Sequence, residues 1–596
     1  MISQNSAMLH QTNTDANEKH GFLKDKSCAY RLDCSADYQL RLTKIFSTLG
    51  PSTSTYDEIK EILKAGADVI RMNFSHGTYE SHSTLYKNVR NASRDVGKEV
   101  AVMIDLQGPK IRCNDFDEGF ISLQNGEKVS IIASSENGKQ GIITTKFQPM
   151  IVHCKVGEPI LLDDGYIRLV VSEKKKGELI CTIEQGGILK NRKGINLPGT
   201  DLADVPALTE KDEADVRYVL SNFDIDYFAL SFVRSAEDVR RLKRLIAQCG
   251  GHAGVFAKVE RPESVGELEA ILSETGCEGI LYARGDLGVE AGLARVPMLQ
   301  KHVLSRCCNG GSLGKGMPRG RRVCVCVCTQ MLESMIHNLE PTRAECSDVC
   351  NAVCDGTDGT MLSGETASGE HPLAAVKMMS SIILESETQL RISKEKRIEF
   401  IRENLYSLTS ENDCESSSFH SSIAQSEKES SHKLQLAEKE RIVRESALEL
   451  ARNAMKSDVS CICLIPVKDE KDESTLMKDS AEEVSTSSSS SSSNPSSSTP
   501  VINVAYSSLR TFLMYLASAH LNIPIFFVSS IISECRAMSA YRGIFPIYME
   551  PSSMLLDPIK YVCCLIVAKY PNVRESKALF ARIGSDGVEY QKQQEM

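Results

Sequence analysis

Short apolar runs that do not alternate with polar residues recur along the chain, each followed by a stretch with apolar residues at helical spacing. TKIFSTLG (43–50) reads as a strand closed by Gly-Pro, and TYDEIKEILKAGA (55–67) as an amphipathic helix whose N-cap is Ser54 or Thr55. DVIRMNFS (68–75) is the next strand, 79–95 the next helix, and EVAVMIDLQG (99–108) the third strand. The alternation resumes at YFALSFV (227–233), GVFAKV (254–259), ILYA (280–283), VCVCVC (323–328) and TMLSG (360–364). Between the last two runs of the 254–290 stretch, Val265, Leu268, Ile271 and Leu272 predict one helix. Uniformly apolar strands joined by helices mean a parallel sheet covered on both faces. Eight of them close a (β/α)8 barrel, an α/β fold whose active site is built at the C-terminal strand ends.

Residues 113–203 interrupt this pattern after the third strand, and their Gly-rich turns and β-branched runs (Gly126, Gly141, Asp163-Asp164-Gly165, Gly186-Gly187) predict a small all-β lid domain. Inserted after a strand's C-terminal end, it emerges on the active-site face, where it can close over substrate and exclude water. The barrel is thus expected at 41–112 and 204–385. Residues 386–596 predict a C-terminal α/β sandwich domain: ERIVRESALELARNAM (440–455) has helical spacing, and CICLIPV (461–467), IPIFFVSS (523–530) and VCCLIVA (562–568) read as strands. Ser-rich stretches near 407–432 and 468–500 break it up, and residues 1–40 are polar without a period; such segments bury too little apolar surface to order.

Composition narrows the classes. At 596 residues, with 41% hydrophobic and 25% charged, several domains with full cores are expected. A net charge of −10 gives no reason to expect nucleic acid as a partner. No apolar run reaches the roughly 18 residues of a membrane span, and Asp15 and Glu18 fit poorly in a targeting peptide, so a cytoplasmic enzyme with no membrane partner is expected. Cysteine is frequent, but Cys324, Cys326 and Cys328 alternate along a strand and Cys346, Cys350 and Cys354 recur at helical spacing; both sets read as buried free thiols rather than zinc ligands.

The candidate chemistry lies at strand ends. Arg71, Asn73 and Ser75 end the second strand, Asp105 the third, Lys258 and Glu260 the fifth, Asp286 the sixth, Thr329 the seventh and Ser363 the eighth. If strands five and six are neighbours, Glu260 and Asp286 share an edge where two carboxylates can hold Mg2+ or Mn2+, with Lys258 beside them.

Six motifs in order, RMNFSHGTYE (71–80), AKVERPESV (257–265), ARGDLG (283–288), TQMLESM (329–335), PTRAECSDV (341–349) and MLSGETASGE (361–370), resemble the pyruvate kinase family. DDGYIRLVV (163–171), KGINLPG (193–199) and YRGIFPIYM (541–549) are also similar to it. The resemblance implies Mg2+-dependent phosphoryl transfer from phosphoenolpyruvate to ADP, giving pyruvate and ATP in glycolysis, by a homotetramer. It implies that Glu260 and Asp286 ligate the metal and that Lys258 and Arg71 neutralise the moving phosphoryl group. Gly285 and Asp286 backbone N–H groups with the Thr329 hydroxyl would bind the substrate carboxylate, and Asn73, His76 and Arg112 the nucleotide. Thr329 and Ser363 would protonate enolpyruvate through water, a task for which a hydroxyl is a poor acid.

Two departures stand out. Family members that bind K+ use Asn73, Ser75, Asp105 and the DLQGPKIR segment (105–112), with a threonine and a glutamate where this chain has Leu106 and Lys110. A fixed Lys110 ammonium would take the place of K+ and repel it, so K+ is expected not to be required. In SSLRTF (507–512), the nearest counterpart of an effector phosphate loop, Ser508, Arg510 and Thr511 remain but Leu509 replaces a turn-favouring glycine, so altered effector binding is expected. CNGGSLGKGMPRG (308–320) reads as an extra loop on the stability face, either a partner-binding element or a gene-model error. Two rival functions stay open: a catalytically inactive paralogue kept for binding, and another phosphoenolpyruvate or pyruvate barrel enzyme such as a lyase.

Overall fold

The computed structural model describes residues 40–202, 205–274, 277–308 and 323–392, then residue 450 and segments 461–466, 525–529, 532–548, 577–584 and 587–595. The helix expected at 440–455 (but for Leu450), the strand at 562–568, the effector loop, both Ser-rich stretches, residues 309–322 and 1–39 lie outside the described residues.

Eight parallel strands close a barrel: β1 (Lys44–Leu49), β2 (Val69–Asn73), β3 (Ala101–Asp105), β4 (Tyr227–Leu230), β5 (Gly254–Val259), β6 (Cys277–Ala283), β7 (Cys324–Cys328) and β8 (Gly359–Leu362). Each pairs with its neighbours in sequence order, and β8 returns to β1. Along every strand one set of side chains (Ile45, Ile70, Val102, Phe228, Val255, Ile280, Val325, Leu362) enters the apolar shell under the helices, so the alternate set fills the barrel. Both sets are buried, which is why the strands read as continuous apolar runs. The interior is filled by large rings: Phe256 meets Phe46 and Tyr227 edge to face at centroid distances of 6.2 and 4.8 Å. Gly279 of β6 makes room for them, since a Cβ there would lie 2.1 Å from the Phe256 ring.

The connecting helices start where their sequences can satisfy the first free N–H groups. Thr55 accepts from the Glu58 N–H while Glu58 returns to the Thr55 N–H, and Thr78, Thr209 and Thr342 cap in the same way. The single helix expected after β5 is two short ones, Pro262–Gly266 and Leu268–Ser273, broken where Gly266 meets Glu267.

The inserted segment forms a six-stranded sheet and a two-stranded ribbon around Val129, Ile131, Leu169, Val171, Leu179 and Cys181. It carries one helical turn and a half, Gln148–His153, that the all-β reading did not include. The C-terminal segments form a five-stranded sheet, four strands parallel with an antiparallel edge. Its Ile532–Tyr548 portion seals the N-terminal end of the barrel. There the buried Lys44 ammonium donates to the Ile544 carbonyl at 2.7 Å and Tyr227 Oη to the Ala537 carbonyl at 2.6 Å. Among the described residues no helix is long and apolar enough to cross a membrane.

The cysteines whose side chains the structure describes are free thiols. Cys324, Cys326 and Cys328 are buried in the barrel, but Cys346 and Cys350 are only half-buried and Cys354 is exposed, because the helix Arg343–Cys354 turns that stripe partly outward.

Candidate active site

The C-terminal rim of the barrel gathers the charged strand ends. β5 and β6 are adjacent, with Lys258 opposite Leu281 and Val259 opposite Tyr282, so Glu260 and the helix Arg284–Ala291 that follows β6 leave the sheet side by side. Lys258 Nζ lies 2.8 Å from Glu260 Oε1, 3.3 Å from Asp105 Oδ1 and 2.8 Å from the Ser231 hydroxyl. Arg71 Nε donates to Asp105 Oδ2 at 2.7 Å and its Nη1 to the Thr48 hydroxyl at 2.9 Å. Asp105, between two cations, is 1% exposed.

Burial opposes every charge here, and partners decide the balance. Burial disfavours the Lys258 ammonium, but Asp105 and Glu260 outweigh it and hold its pKa above the usual lysine range. Burial would raise Asp105, yet Lys258 and Arg71 bring it below the usual carboxylate range. Glu260 goes the other way: burial and then repulsion from Asp286 push it up, against Lys258 and the Phe232 N–H. That repulsion is the test of fit for a cation. An acidic side chain near enough to disfavour the Glu260 charge, with only oxygen to offer, suits a hard divalent ion shared between the two. Among the described residues no group of three or more His, Cys, Asp or Glu converges, so such an ion would complete its shell with water or substrate.

Thr329 sits at φ +74°, costly for a β-branched residue, and Arg284 braces it: Nε and Nη2 donate to the Thr329 carbonyl at 3.2 and 2.8 Å while Nη1 grips both oxygens of Asp348 at 2.7 and 2.6 Å. The Thr329 methyl packs against Gly285, where a Cβ would lie 2.9 Å from it, so the helix start and the hydroxyl are brought together. Ser363 begins the short helix Gly364–Ala367; its N–H donates to Glu365, which also accepts from the Leu332 N–H and so ties the ends of β7 and β8.

Asn73 uses its side-chain oxygen to accept from the Ser75 N–H at 3.0 Å, and the Leu106 carbonyl accepts from Ser231, while the Leu106 side chain is in the apolar shell. Lys110 reaches inward, but its nearest carboxylate is Asp286 at 3.5 Å, whereas Asp105 is held by Arg71 and Lys258. His76 is exposed, and burial of part of its ring with Arg112, Lys110 and Arg71 nearby lowers its pKa. Arg112 and Lys110 also line a cavity of about 440 Å3 on the inserted domain, with Lys146 and Arg192 in its wall and Asp115 its carboxylate.

Sequence reasoning missed Ser231, Thr48, the Phe232 N–H, the Arg284–Asp348 brace and Glu365. Ser231 had a signal: it is the third inward position of β4's run, after Tyr227 and Ala229, where an interior polar group meets the rim.

A closed parallel barrel with a lysine, carboxylates and an arginine gathered at its C-terminal rim, and a β domain inserted after its third strand, defines the class: a (β/α)8 barrel with a charged rim. Comparison with known families assigns it: residues 40–376 match the pyruvate kinase barrel domain. The chain belongs to the pyruvate kinase family. It is 42% identical over 353 residues to a Geobacillus stearothermophilus protein named pyruvate kinase, covering 59% of this chain and 58% of that one. Proteins of the same name from Mycobacterium tuberculosis and Corynebacterium glutamicum are 43% and 41% identical over 58% and 59% of this chain, and 70% and 71% of their own lengths. The chain thus spans less than two thirds of the Geobacillus relative.

Proposed function

We propose that the chain is a pyruvate kinase, transferring the phosphoryl group of phosphoenolpyruvate to ADP to give pyruvate and ATP. The observation that carries the proposal is the largely enclosed Lys258 ammonium, kept charged by Asp105 and Glu260, with Arg71 on the other side of Asp105. A cation held so firmly is a poor proton donor at neutral pH; its use is to neutralise charge. Lys258 and Arg71 would therefore bind the phosphoryl group and lower the cost of charge building on its oxygens. Glu260 and Asp286 would hold Mg2+ or Mn2+, which when bound supplies Lewis-acid neutralisation of the same charge. The N–H groups of Gly285 and Asp286 at a helix start, with Thr329, would take the substrate carboxylate. Asn73, His76 and Arg112 would meet the ADP phosphates, and the cationic cavity lined by Arg112, Lys110, Lys146 and Arg192 supports the role of Arg112. Thr329 and Ser363 would order the water that delivers a proton to enolpyruvate.

K+ is proposed to be dispensable because Lys110 points into the rim, fixing an ammonium on Asp286. A homotetramer belongs to the same proposal, with Leu293 and Met298, 76% and 68% exposed, available for burial between copies. Cytoplasmic location is proposed from the free thiols. The test is a coupled assay of the full chain with phosphoenolpyruvate, ADP and Mg2+: pyruvate and ATP formed in equal amounts support the proposal, and no turnover, or pyruvate without ATP, rejects it.

A further inference from the structure

The lid joins the barrel by two linkers, and both are fastened to one helix. The outgoing linker carries Lys110, whose Nζ lies 3.5 Å from Asp286 Oδ1 in the first turn of Arg284–Ala291. The returning linker carries Asn196, whose Nδ2 donates to Glu290 Oε1 at 3.1 Å. Glu290 stands four residues after Asp286, on the same helix face. It is 8% exposed, its Oε2 has no hydrogen-bond partner, and Arg261 Nη1 lies 3.8 Å from Oε1. Arg261 directly follows Glu260 and grips Glu263 at 2.9 Å, with the returning linker's Thr200 carbonyl 3.5 Å away. A cavity of about 30 Å3 separates these groups, lined by Lys110, Asn196, Arg261, Asp286 and Glu290.

A buried carboxylate with an unmet oxygen is costly unless it does something in place. Glu290 touches no proposed reacting group. What it touches is the lid strand on one side and, through Arg261 and its own helix, the two elements that carry Glu260 and Asp286 on the other. We propose that Glu290 is a positioning residue: with Asn196 it forms a clasp that makes the placement of the two metal-binding carboxylates and the seating of the lid one event. A cation that fixes Asp286 and Glu260 fixes the helix and strand end to which the returning linker is tied, so metal binding steadies the lid. Linkage requires the converse, that a loosened lid weakens metal binding by the same factor.

The inference rests on the proposed metal site and is tested without turnover. Mn2+ alone is titrated by electron paramagnetic resonance against full-length protein, and hydrogen exchange of lid amides is followed with and without saturating Mn2+, for wild type, Asn196→Ala, Glu290→Leu and the double variant. In wild type, Mn2+ should slow exchange in the linker near Asn196. Each single variant should weaken Mn2+ binding about fivefold or more, the lower end of linked-site couplings, and abolish that slowing. The double variant should be no worse than the worse single one, since both break one contact. Losses that multiply in the double variant, or wild-type Mn2+ affinity in Asn196→Ala, overturn the clasp. Asn196→Ala, a truncation at the lid strand, decides the matter should Glu290→Leu fail to fold. Wild type that binds Mn2+ with lid protection yet makes no pyruvate would sink the proposed activity and leave the clasp standing; absence of Mn2+ binding sinks both.

Discussion

Replacing Lys258 by Met removes an ammonium from among three partners, Asp105, Glu260 and Ser231, while nearly keeping its volume, which makes it the sharpest probe of the rim. Asp105 keeps Arg71 at 2.7 Å, but Glu260 loses its partner at 2.8 Å and retains only the Phe232 N–H. Stranding a buried carboxylate in this way costs about 3–5 kcal/mol of stability. The cost depends on pH, and its sign follows from Glu260. Burial and Asp286 already raise its folded-state pKa, and loss of Lys258 raises it further above the unfolded value. The variant's folded state then binds a proton that the unfolded chain releases, so the penalty is full above the folded pKa and shrinks as pH falls toward the unfolded one. Relative to wild type, denaturant midpoints should converge on acidification. Catalytically, removal of one fixed cation from developing charge costs about 10²–10³ in kcat. The coupled assay at saturating Mg2+ and both substrates measures it. A variant that keeps more than about a tenth of wild-type kcat, where each tenfold is only about 1.4 kcal/mol, would refute the assignment of Lys258 to the reacting phosphoryl group.

Other expectations are independent of that one. Activity in a buffer free of K+ and Na+ should be within about threefold of that with K+, while Lys110→Glu, which adds a carboxylate beside Asp286, should make the rate depend on K+; near-total loss in the wild type without K+ rejects the role of Lys110. Asp68, buried against Arg41 at 2.8 Å and Lys98 at 3.0 Å, is held well below the usual carboxylate range by those charges despite burial. Its contribution is present above the unfolded pKa and lost as pH falls through the folded one, so Asp68→Asn should cost about 3–5 kcal/mol near neutrality and much less in acid, by urea unfolding. Lys44 is brought down to about 8 by burial, so its folded form sheds a proton before the unfolded chain does, and this group's contribution to stability should rise between its folded and unfolded pKa values; a Lys44→Met variant lacking that rise in alkaline unfolding curves checks it. Gly279→Ala should destabilise by about 1–3 kcal/mol, because the added methyl meets the Phe256 ring inside the barrel; unchanged unfolding would mean the ring moves freely.

Much of this was readable before any coordinates. Strands buried on both faces leave unbroken apolar runs, and each run here ends in the polar residue that the barrel delivers to its rim, so Arg71, Asp105, Lys258 and Glu260 could be placed together from pattern alone. The caps were legible for the same local reason: Thr55 and Glu58 satisfy each other within one turn. What escaped was set by contacts distant in sequence or by backbone angle. Nothing near Phe232 announces a positive φ that aims its N–H at Glu260, and nothing around Arg284 points to Asp348, 64 residues on. Lys110 was recognised as the odd residue of its motif, but its nearest carboxylate, Asp286 rather than Asp105, is fixed by how the linker crosses the rim. Glu290 carried no signal in its own segment, since its partner Asn196 lies 94 residues earlier.

The most direct measurement is a crystal of the full chain grown with Mn2+ and a phosphoenolpyruvate analogue, with data collected at the manganese absorption edge. One anomalous peak between Glu260 and Asp286, within about 2.1–2.4 Å of an oxygen of each and with Lys258 against the analogue's phosphoryl end, is the expected result. Manganese bound elsewhere, or Glu260 still paired only with Lys258 while the analogue sits away from the rim, would contradict the account.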